Sequence, residues 1–572
     1  MNFEQMQTKW PKLNALPENP IAYFCAEFAL ADQLPIYSGG LGVLAGDVVR
    51  EADSEGLPLV GIGLFYKQGY FKQVITDSGM QDELPAYPDI SKLPLTRVPD
   101  AQGNELRIKL SIAERIILVR AWRYSEGNTP VFLLDTDIPE NQELDRRLTL
   151  SLYPSSNDWR IQQEIILGIG GARLLQELSI TPSVYHLNEG HSAFAVLEVA
   201  HQHMQQGKAS FEDSFRYACN HTVFTNHTLI PSGNDMFPSE LVSTLLGQYA
   251  NHLGLPIDEI VRMGSVPRQP GFFSMTHLAL TASSKVSAVS KSHAQFAKVT
   301  WPDSTLIPIT NGVHVPYWQT SSWQSISDKV SRGFEVSDEE IWNAHKEHKT
   351  ALLKKLTGAT GAIYNPDALT ITWARRVTGY KQPLLLFSDV ERLSRILEQS
   401  NMPIQILISG KAHPSDSAAK EMIADILDII EKNNLGKNIA FLPNYNLELA
   451  RLLIAGSDVW LNTPIKGQEA CGTSGMKSSL NGVLQCAISD GWTDEVDLAK
   501  IGFPVSPIDS ATSLYNSLEQ TIAPLYYNNR NSANIPEAWA ARMRDTATVV
   551  TAEFSATRML AEYVEKLYLP TL

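Results

Sequence analysis

Short apolar runs alternate with amphipathic stretches along the first half of the chain. The runs at 21–24 and 57–64 predict strands, and between them a glycine turn at 39–42 precedes a predicted helix from about Val43 to Ser54. Further strands are predicted at 116–121, 131–134, 184–187 and 222–225. Strand, glycine turn, helix and strand in this order are typical of a parallel α/β unit, whose ligands bind at the carboxyl ends of the strands.

A second series of the same kind follows a polar, helical stretch at 337–356, which we interpret as a helix connecting two lobes. Its predicted strands are 368–373, 404–409, 439–442, 459–462 and 483–488, with a predicted helix at 417–432. The intervals between these strands suit successive βα units. We therefore predict an α/β protein of two doubly wound, Rossmann-like lobes with a cleft between them.

The predicted domains are an N-terminal α/β lobe at 1–325, a C-terminal α/β lobe at 326–535 and a C-terminal helical segment at 536–572. The last segment is helical by pattern almost throughout. A chain of 572 residues, with 44% hydrophobic and 19% charged residues, is long and apolar enough to form more than one core.

Charge and cysteine usage narrow the classes of function. The net charge of −15 argues against general nucleic-acid binding, so an anionic substrate would need a local basic pocket. No apolar run is long enough to span a bilayer and no signal peptide is recognisable, so we expect a cytoplasmic protein without a membrane partner. The scattered cysteines fit unbridged thiols, and neither H-E-x-x-H nor C-x-x-C spacing occurs, so we expect no metal site.

The most distinctive segment extends from Glu469 to Lys477 and has the sequence Glu-Ala-Cys-Gly-Thr-Ser-Gly-Met-Lys. It follows an apolar run at 458–462 and precedes a helix-like stretch at 478–482, so we expect a loop between a strand and a helix. Such a loop presents N–H and O–H donors to an anion, and its lysine can pair with that anion or form a Schiff base. Taken alone, the segment fits an ordinary solvated loop equally well.

Two further segments are candidates for binding an anion. Arg375, Arg376 and Lys381 come directly after the first strand of the second lobe, where they fit either a phosphate site or a solvated loop. The glycines at 39–42 fit either a tight turn that needs positive φ or an anion cradle at a helix N-terminus.

Asn, Glu and His side chains follow apolar runs of the first lobe. The segments are 186–191, 225–228 and 311–313, and their polar groups suit the hydroxyls of a sugar. A lone histidine is more often structural, but several polar loops at strand ends together favour a binding site.

In their order along the chain, these segments resemble the motifs of the α-glucan (glycogen, starch and maltodextrin) phosphorylases, in their short prokaryotic branch. The resemblance extends from about Ala22 to at least Gly491, and the segment from Glu469 to Lys477 is its most specific part. The family consists of glycosyltransferases of the GT-B type that carry pyridoxal phosphate and are often dimeric. The resemblance implies phosphorolysis of an α-1,4-glucan, maltodextrin or glycogen, with release of glucose 1-phosphate and retention of configuration.

The resemblance also assigns roles to individual residues. Lys477 would hold pyridoxal phosphate as a Schiff base, and the other cofactor-binding residues would be Thr473, Ser474, Arg375 and Tyr445. The implied substrate-binding residues are Gly40, Leu41, Asn188, Glu189, His191, His227, Asn311, Tyr380 and Glu469, and the implied catalytic residues are Arg376, Lys381, Lys477 and His227. In this family the cofactor phosphate acts as acid and base toward the substrate phosphate, and the cations allow two phosphates to approach each other.

Several positions depart from the usual family motifs, among them Arg375 and Cys471. Arg375 stands where lysine is more common, and Cys471 stands where serine is more common. No counterpart of the N-terminal phosphorylation segment of the animal enzymes is evident, so we expect no such allosteric control. The expected partners are an α-glucan and inorganic phosphate or glucose 1-phosphate, and a homodimer is a further expectation. Two alternatives stay open: a GT-B transferase that uses a sugar nucleotide without pyridoxal phosphate, and an inactive glucan-binding relative.

Overall fold

The computed structural model describes residues 2–124, 126–207, 209–229, 234–360, 364–528 and 530–572. The chain divides into two compact units. Unit 1 comprises Met1–Phe71, Pro85–Thr310 and Met559–Leu572, and unit 2 comprises Lys72–Leu84 and Asn311–Arg558. Among the described residues, no helix combines the length and the apolar character needed to cross a membrane.

Strands and helices alternate through both units. The strands are β1 Ile21–Phe24, β2 Leu59–Leu64, β3 Lys72–Ile75, β4 Gln81–Leu84, β5 Leu95–Arg97, β6 Ile108–Ile112, β7 Arg115–Tyr124, β8 Val131–Asp135, β9 Val184–Asn188, β10 Thr222–Asn226, β11 Met236–Pro238, β12 Phe272–Ser274, β13 Lys285–Ala288, β14 Ile307–Pro308, β15 Leu369–Ala374, β16 Ile404–Ser409, β17 Ile439–Leu442, β18 Val459–Asn462, β19 Leu484–Ile488 and β20 Gly502–Val505. The α-helices are α1 Phe3–Lys9, α2 Gly40–Glu55, α3 Glu143–Arg146, α4 Asn157–Ile165, α5 Gly171–Glu177, α6 Ala195–Gly207, α7 Phe211–Asn220, α8 Ser239–Leu253, α9 Ile257–Met263, α10 Met275–Thr281, α11 Lys291–Thr300, α12 Val315–Trp318, α13 Ser321–Ser331, α14 Asp338–Thr360, α15 Val390–Leu397, α16 Ser417–Lys432, α17 Leu447–Gly456, α18 Thr473–Ser479, α19 Leu498–Ile501, α20 Ser510–Ser517, α21 Ala523–Tyr527, α22 Glu537–Glu553, α23 Ala556–Tyr563 and α24 Leu569–Thr571.

Unit 1 is built on a mixed sheet with the strand order β14-β13-β10-β9-β1-β2-β8-β7-β5, and β6 pairs with β7. The strands from β14 to β8 are parallel, and β5, β6 and β7 are antiparallel to their neighbours. The chain order reverses at β1, because β2 lies on one side of it and β9 on the other. This is a doubly wound arrangement, in which ligands bind beyond the carboxyl ends of the strands at the reversal.

Unit 2 contains a parallel sheet with the strand order β17-β16-β15-β18-β19-β20. The order also reverses at its first strand, between β15 and β18, as in Rossmann folds. All residues of β15, β16, β18 and β19 are buried, which is typical of parallel strands covered on both faces. The prediction of an α/β protein with two doubly wound sheets is therefore confirmed.

The helix predicted at 337–356 is α14, but its interpretation as a connection between lobes is wrong. It lies inside unit 2, which resumes at Asn311. His345 and Lys349 of α14 are buried, and both donate to the carboxylate of Asp458 beside β18. These buried polar residues look like surface residues in the sequence, and this is why the pattern suggested an exposed connector.

The boundary between the two compact units lies inside the predicted helical segment 536–572, because unit 2 ends at Arg558 and unit 1 resumes at Met559. Helix α22 packs into the core of unit 2 through Trp539 and Met543. Tyr568 belongs to unit 1, where its hydroxyl lies 2.8 Å from Nδ1 of the buried His186. The last residues thus complete the core of the N-terminal sheet, a long-range contact that helical periodicity does not reveal.

The hairpin of β3 and β4 also belongs to unit 2, although it lies within the predicted N-terminal lobe 1–325. Nε2 of Gln73 donates to the carbonyl of Gly410 at 2.9 Å, and Nε2 of Gln81 donates to the carbonyl of Ala412 at 3.0 Å. Because both glutamines are buried, these bonds satisfy amides that would otherwise lack a partner in the core.

Candidate active site

The reversal of strand order in unit 2 brings two predicted segments together. Residues 375–381 follow β15, the segment containing 469–477 follows β18, and these two strands are neighbours. The first segment is held by its backbone, since the N–H of Val377 donates to the carbonyl of Lys411 at 2.9 Å. Carboxyl ends of parallel strands meet at one edge of a sheet, so the predicted cations lie beside the distinctive Glu469 segment.

Lys381 and Glu469 form a buried ion pair between these two segments. Nζ of Lys381 donates to Oε2 of Glu469, and the two side chains are 11% and 6% exposed. The N–H of Glu469 donates to Oδ2 of Asp490 at 3.0 Å, which fixes the start of the segment. Nζ of Lys381 also lies 4.8 Å from the ring centre of Tyr380. Residues predicted to bind phosphate and residues predicted to bind sugar are therefore in direct contact.

Arg375 is buried, and the neighbouring Arg376 is exposed. Nη2 of Arg375 donates to the carbonyl of Leu461 at 2.5 Å, while its buried Nε has no hydrogen-bond partner among the described residues. Burial lowers the pKa of Arg375 to about 10, against the opposing effects of Glu469 and Tyr445. The guanidinium is therefore charged at neutral pH, and its buried Nε–H is available to a further acceptor.

The helix that follows β18 begins earlier than predicted. The sequence pattern predicts a helix at 478–482, whereas α18 begins at Thr473 and ends at Ser479. The N-cap residue Gly472 has φ of +84°, a left-handed conformation that favours glycine. The pattern missed the first turn because glycine and hydroxyl residues are weak helix formers.

Lys477 therefore lies in the last turn of α18 and not in a loop before a helix. The lysine is buried; its Nζ donates to Oγ1 of Thr473 at 3.2 Å and lies 4.5 Å from the ring centre of Trp318. The hydroxyl of Ser474 accepts a hydrogen bond from Nε1 of Trp460 at 3.3 Å. The pattern did not identify Trp318 or Trp460 as neighbours of the motif, because both contacts depend on the tertiary fold.

Cys471, which is part of the segment from Glu469 to Lys477, lies beside Asn311. Burial raises the pKa of the Cys471 thiol well above its usual range, although a hydrogen bond with the backbone of Asn311 lowers it in part. The side-chain Oδ1 of Asn311 is buried and has no hydrogen-bond partner among the described residues. A Cβ atom on Gly491 would come within 2.5 Å of the Cys471 carbonyl oxygen, so this close approach requires glycine.

In unit 1, Glu27 holds the glycine turn that precedes α2. Its carboxylate accepts from the N–H groups of Ser38 at 2.6 Å and Gly39 at 3.2 Å, and from the hydroxyl of Tyr153 at 2.6 Å. Helix α2 then begins at Gly40, and none of the described side chains caps it. The sequence analysis did not identify Glu27 or Tyr153, since neither lies in a glycine-rich or cationic motif.

The interpretation of the glycines at 39–42 as a tight turn with positive φ is wrong, because none of them has a positive φ. Gly42 is required by close packing: a Cβ atom there would come 2.7 Å from Cβ of Tyr37. Gly40 is open, since a Cβ atom there would meet nothing within 4 Å. Gly40 and Leu41 occupy the uncapped first turn of α2, which is the position expected of an anion cradle.

Asn188, Glu189 and His227 form one hydrogen-bonded cluster beyond the neighbouring strands β9 and β10. Nε2 of His227 lies 2.6 Å from Oδ1 of Asn188. Oε2 of Glu189 accepts from the N–H of His227 at 3.0 Å and from the hydroxyl of Thr228 at 2.9 Å. Glu189 has φ of +76°, an unusual conformation for a residue with a side chain, and these bonds hold it there.

Burial sets the charge of this cluster. It lowers the pKa of His227 to about 3, and the nearby His293 adds to the effect, so the imidazole is neutral at pH 7. An amide oxygen only accepts, so Nε2 of His227 donates to Asn188 and Nδ1 is left as an acceptor. Burial raises the pKa of Glu189, while His191 opposes that shift. His191 itself contacts Asp235, at 3.1 Å, instead of joining the cluster.

Comparison with known proteins identifies the family. The family model described as carbohydrate phosphorylase matches residues 321–502. A maltodextrin phosphorylase of Thermococcus litoralis is 37% identical over 98% of this chain and 71% of its own length. Glycogen phosphorylases of Mycobacterium tuberculosis and Aquifex aeolicus are 34% and 32% identical, over 99% and 96% of this chain and 72% and 86% of their own lengths. The chain therefore belongs to the carbohydrate phosphorylase family, together with these maltodextrin and glycogen phosphorylases.

Proposed function

We propose that this protein is an α-glucan phosphorylase, which cleaves an α-1,4-glycosidic bond of maltodextrin or glycogen with inorganic phosphate and releases glucose 1-phosphate. The observation that carries the proposal is the buried pair of Lys381 and Glu469 at the strand reversal of unit 2. A cation and a carboxylate side by side suit a phosphate next to a sugar hydroxyl. The names of the similar maltodextrin and glycogen phosphorylases support the same reaction.

We further propose that unit 2 binds pyridoxal phosphate, because its side chains fit this group. Lys477 is buried and would hold the aldehyde carbon covalently, with the hydroxyls of Thr473 and Ser474 as ligands of the cofactor phosphate. The buried Nε of Arg375 is an available donor for the same anion, and Tyr445 would complete the site. When bound, the cofactor supplies through its phosphate an acid and a base beside the substrate phosphate.

Arg376 and Lys381 would bind the substrate phosphate. The guanidinium of Arg376 offers a planar fork for two phosphate oxygens, and Lys381 offers a point charge. Because an ammonium group has three donors, Lys381 can bind a phosphate oxygen and retain its bond to Glu469. We assign the N–H groups of Gly40 and Leu41 to the same phosphate, as the family resemblance implies.

Uncharged hydrogen-bonding groups would bind the sugar. The neutral imidazole of His227 offers Nδ1 as an acceptor, and the buried Oδ1 of Asn311 offers another. We assign Glu469, Tyr380, Asn311 and His227 to the glucose unit that is transferred, and Asn188, Glu189 and His191 to the rest of the glucan. In this assignment His227 orients the reacting sugar.

These residues allow phosphorolysis without a carboxylate nucleophile. The substrate phosphate, held by Arg376 and Lys381, donates its proton to the glycosidic oxygen as the bond to C1 breaks. A phosphate oxygen then forms a bond to C1 on the same face, which retains the configuration. Most retaining glycosidases need a second carboxylate at this step, whereas here the phosphate is itself the nucleophile.

The decisive experiment incubates the purified protein with maltodextrin and inorganic phosphate. We expect glucose 1-phosphate as the product and pyridoxal phosphate bound to the protein, with Lys477→Ala lacking both. Lys500→Ala, which changes an exposed lysine of unit 2, is the matched control and should keep both. A requirement for a sugar nucleotide would favour the cofactor-free transferase, and binding of glucan without turnover would favour the inactive relative. Unchanged cofactor content in Lys477→Ala would reject the cofactor site.

A second experiment tests the assignment of Arg376 to the phosphate. Arg376→Ala should raise the KM for phosphate about 30-fold, which corresponds to about 2 kcal/mol for a lost charge-assisted contact. Arg332→Ala removes an exposed arginine that directly follows α13 and is the control. An unchanged KM for phosphate in Arg376→Ala would reject the role. The cytoplasmic location stays a prediction of the sequence composition, and the homodimer stays a prediction of the family resemblance.

A further inference from the structure

The two ring nitrogens of His191 have different surroundings. Nε2 lies 3.1 Å from Oδ2 of Asp235. Nδ1 is buried and has no hydrogen-bond partner among the described residues of the chain. A carboxylate without a proton only accepts, so the proton of a neutral His191 belongs on Nε2 and a lone pair remains on Nδ1. His191 is 7% exposed, so this lone pair is an acceptor held at a fixed and largely dry position.

Arg160 fixes the carboxylate that selects this tautomer. Nη2 of Arg160 lies 2.9 Å from Oδ2 of Asp235, and the guanidinium stands 4.3 Å from the ring centre of Tyr153. Burial would raise the pKa of Asp235, but Arg160 and His191 outweigh burial and hold it below its usual range. Asp235 is therefore ionised at neutral pH, and the hydrogen bond from Arg160 fixes the orientation of its carboxylate.

Glu164 is the second carboxyl group beside Arg160, and its charge differs from that of Asp235. Its Oε1 accepts from Nε of Arg160 at 3.3 Å, and it is 3% exposed. Burial and the charge of Asp235 both raise the pKa of Glu164 well above its usual range. Glu164 is therefore neutral and Asp235 is ionised. The positive charge of Arg160 balances the negative charge of Asp235.

Glu164, His191 and Asp235 together have the composition of a cation site. Each of the three brings one ligand atom within 4.8 Å of the others. However, the guanidinium of Arg160 already lies against both carboxyl groups, so a metal ion would have to displace a buried cation. The cluster is better explained as a support for His191 than as a metal centre.

We infer that Arg160 and Asp235 are positioning residues that place the Nε2–H of His191 on Asp235 and so leave Nδ1 as the acceptor for a hydroxyl group of the glucan. The inference rests on the proposed function for the nature of this ligand. The groups that face His191 from the surrounding elements include Asp235, Glu164, Glu189, His227 and the ring of Tyr153. Among the described residues, Asp235 is the one within hydrogen-bond distance of His191, so it determines which nitrogen carries the proton.

Asp235→Asn tests the inference because it keeps the shape and removes the selection of the tautomer. An amide can donate to Nε2, which would place the proton on Nδ1 and turn the acceptor into a donor. We expect the KM for maltodextrin to rise about 10- to 100-fold, while the KM for phosphate and the cofactor content stay unchanged. Glu164→Gln should change the KM for maltodextrin less than threefold, because the carboxyl it replaces is already neutral.

Asp137→Asn is the matched control, since it alters another aspartate of unit 1 that is paired with an arginine. If Asp235→Asn does not fold, Arg160→Lys takes its place: it keeps the cation but loses the forked contact, and should raise the KM for maltodextrin alone. An unchanged KM for maltodextrin in the folded variant overturns the inference and leaves the proposed function intact. A wild-type protein that releases no glucose 1-phosphate from maltodextrin defeats the proposed function and this inference with it.

Discussion

The parallel parts of the two sheets reverse their strand order in the same way, but the residues beyond them carry different chemistry. In each sheet the chain order reverses beside the first strand, β1 in unit 1 and β15 in unit 2. Unit 2 has Arg375, Lys381 and Lys477 near its reversal, whereas unit 1 has Asn188 and His227. The fold therefore supplies the position of a site, and the loop residues determine whether that position suits an anion or a hydroxyl group.

Burial acts on the basic groups of the two units with different results. It lowers the pKa of His227 to about 3, so this imidazole carries no charge at neutral pH. It lowers the pKa of Arg375 only to about 10, so this guanidinium stays charged. The contrast shows why a buried anion site depends on arginine and lysine, while histidine in a similar location serves as a neutral hydrogen-bonding group.

The largest expected effect comes from removing a cation of unit 2. In Lys381→Met, the buried Glu469 loses its ion partner and the phosphate loses a ligand. We expect kcat/KM for phosphate to fall about 100-fold, because the loss of a charge-assisted contact to the phosphate costs up to about 3 kcal/mol. Initial rates of glucose 1-phosphate release at varied phosphate concentration measure this change.

Lys466→Met is the control for that variant, because Lys466 is an exposed lysine paired with Asp494 in the same part of unit 2. It should change kcat/KM less than about threefold, as is usual for surface ion pairs. Similar losses in the two variants would mean that unit 2 does not use Lys381 as an anion ligand.

The next prediction compares the loss of stability caused by an alanine substitution at one glycine of each unit. Gly491→Ala would place a methyl group 2.5 Å from the carbonyl oxygen of Cys471 at φ of +59°, and should cost about 3 kcal/mol or more of stability. Gly40→Ala, where the added Cβ meets nothing within 4 Å, should leave stability unchanged. The midpoint of urea unfolding distinguishes them, and an equal loss in both would contradict the packing described for the two loops.

A smaller effect concerns the stability of the folded protein at acid pH, to which the buried His186 of unit 1 contributes. His186 is fully buried between the hydroxyls of Thr225 and Tyr568, and burial lowers its pKa to about 3. An unfolded histidine has a pKa of about 6.5, so the folded state binds fewer protons between these values. The stability contributed by the neutral ring is complete above about pH 6.5 and is lost as the pH falls toward 3, at about 1.4 kcal/mol per pH unit.

Unfolding midpoints at pH 7 and pH 5 measure this contribution. His186→Gln should be less stable than the wild type at pH 7, because it loses packing, but its stability should decline less on acidification. His252→Gln, at an exposed position of α8, should keep the wild-type decline. If His186→Gln and the wild type decline equally, the ring is not the neutral buried group that the structure indicates.

The smallest expected effect is at the position that departs from the usual motif. Cys471 is 3% exposed and burial raises the pKa of its thiol, so it acts as a small apolar group. Cys471→Ser should change kcat less than about threefold, because the backbone of Asn311 is available as a partner for the new hydroxyl. A loss of kcat above tenfold would show that the thiol has a role of its own.

Local patterns predicted the regular elements well. The strand predicted at 404–409 and the helix predicted at 417–432 agree with β16 and α16 to the residue. A continuous apolar run marks the strand, and Asp416 caps the helix by accepting from the N–H of Ala419. Both signals lie within a few residues of the element that they define.

Local patterns failed where tertiary contacts replaced local preference. Helix α18 begins with glycine and hydroxyl residues, yet it forms because its buried face packs behind β18. Helix α14 looks like an exposed connector, but Lys349 enters the core to meet Asp458. In both cases the stabilising partner is distant in sequence and has no local signal.

By itself, the sequence determined the succession of strands along the chain, the polar segments that follow them and the motifs of the family. These are properties of residues that are neighbours in the sequence. Only the tertiary structure decided which of those segments meet. It paired Lys381 with Glu469, 88 residues away, held the glycine turn with Glu27, and placed Asp235 against His191. The charge of His227 was also decided there, because a pKa depends on burial and on neighbours that a sequence pattern does not specify.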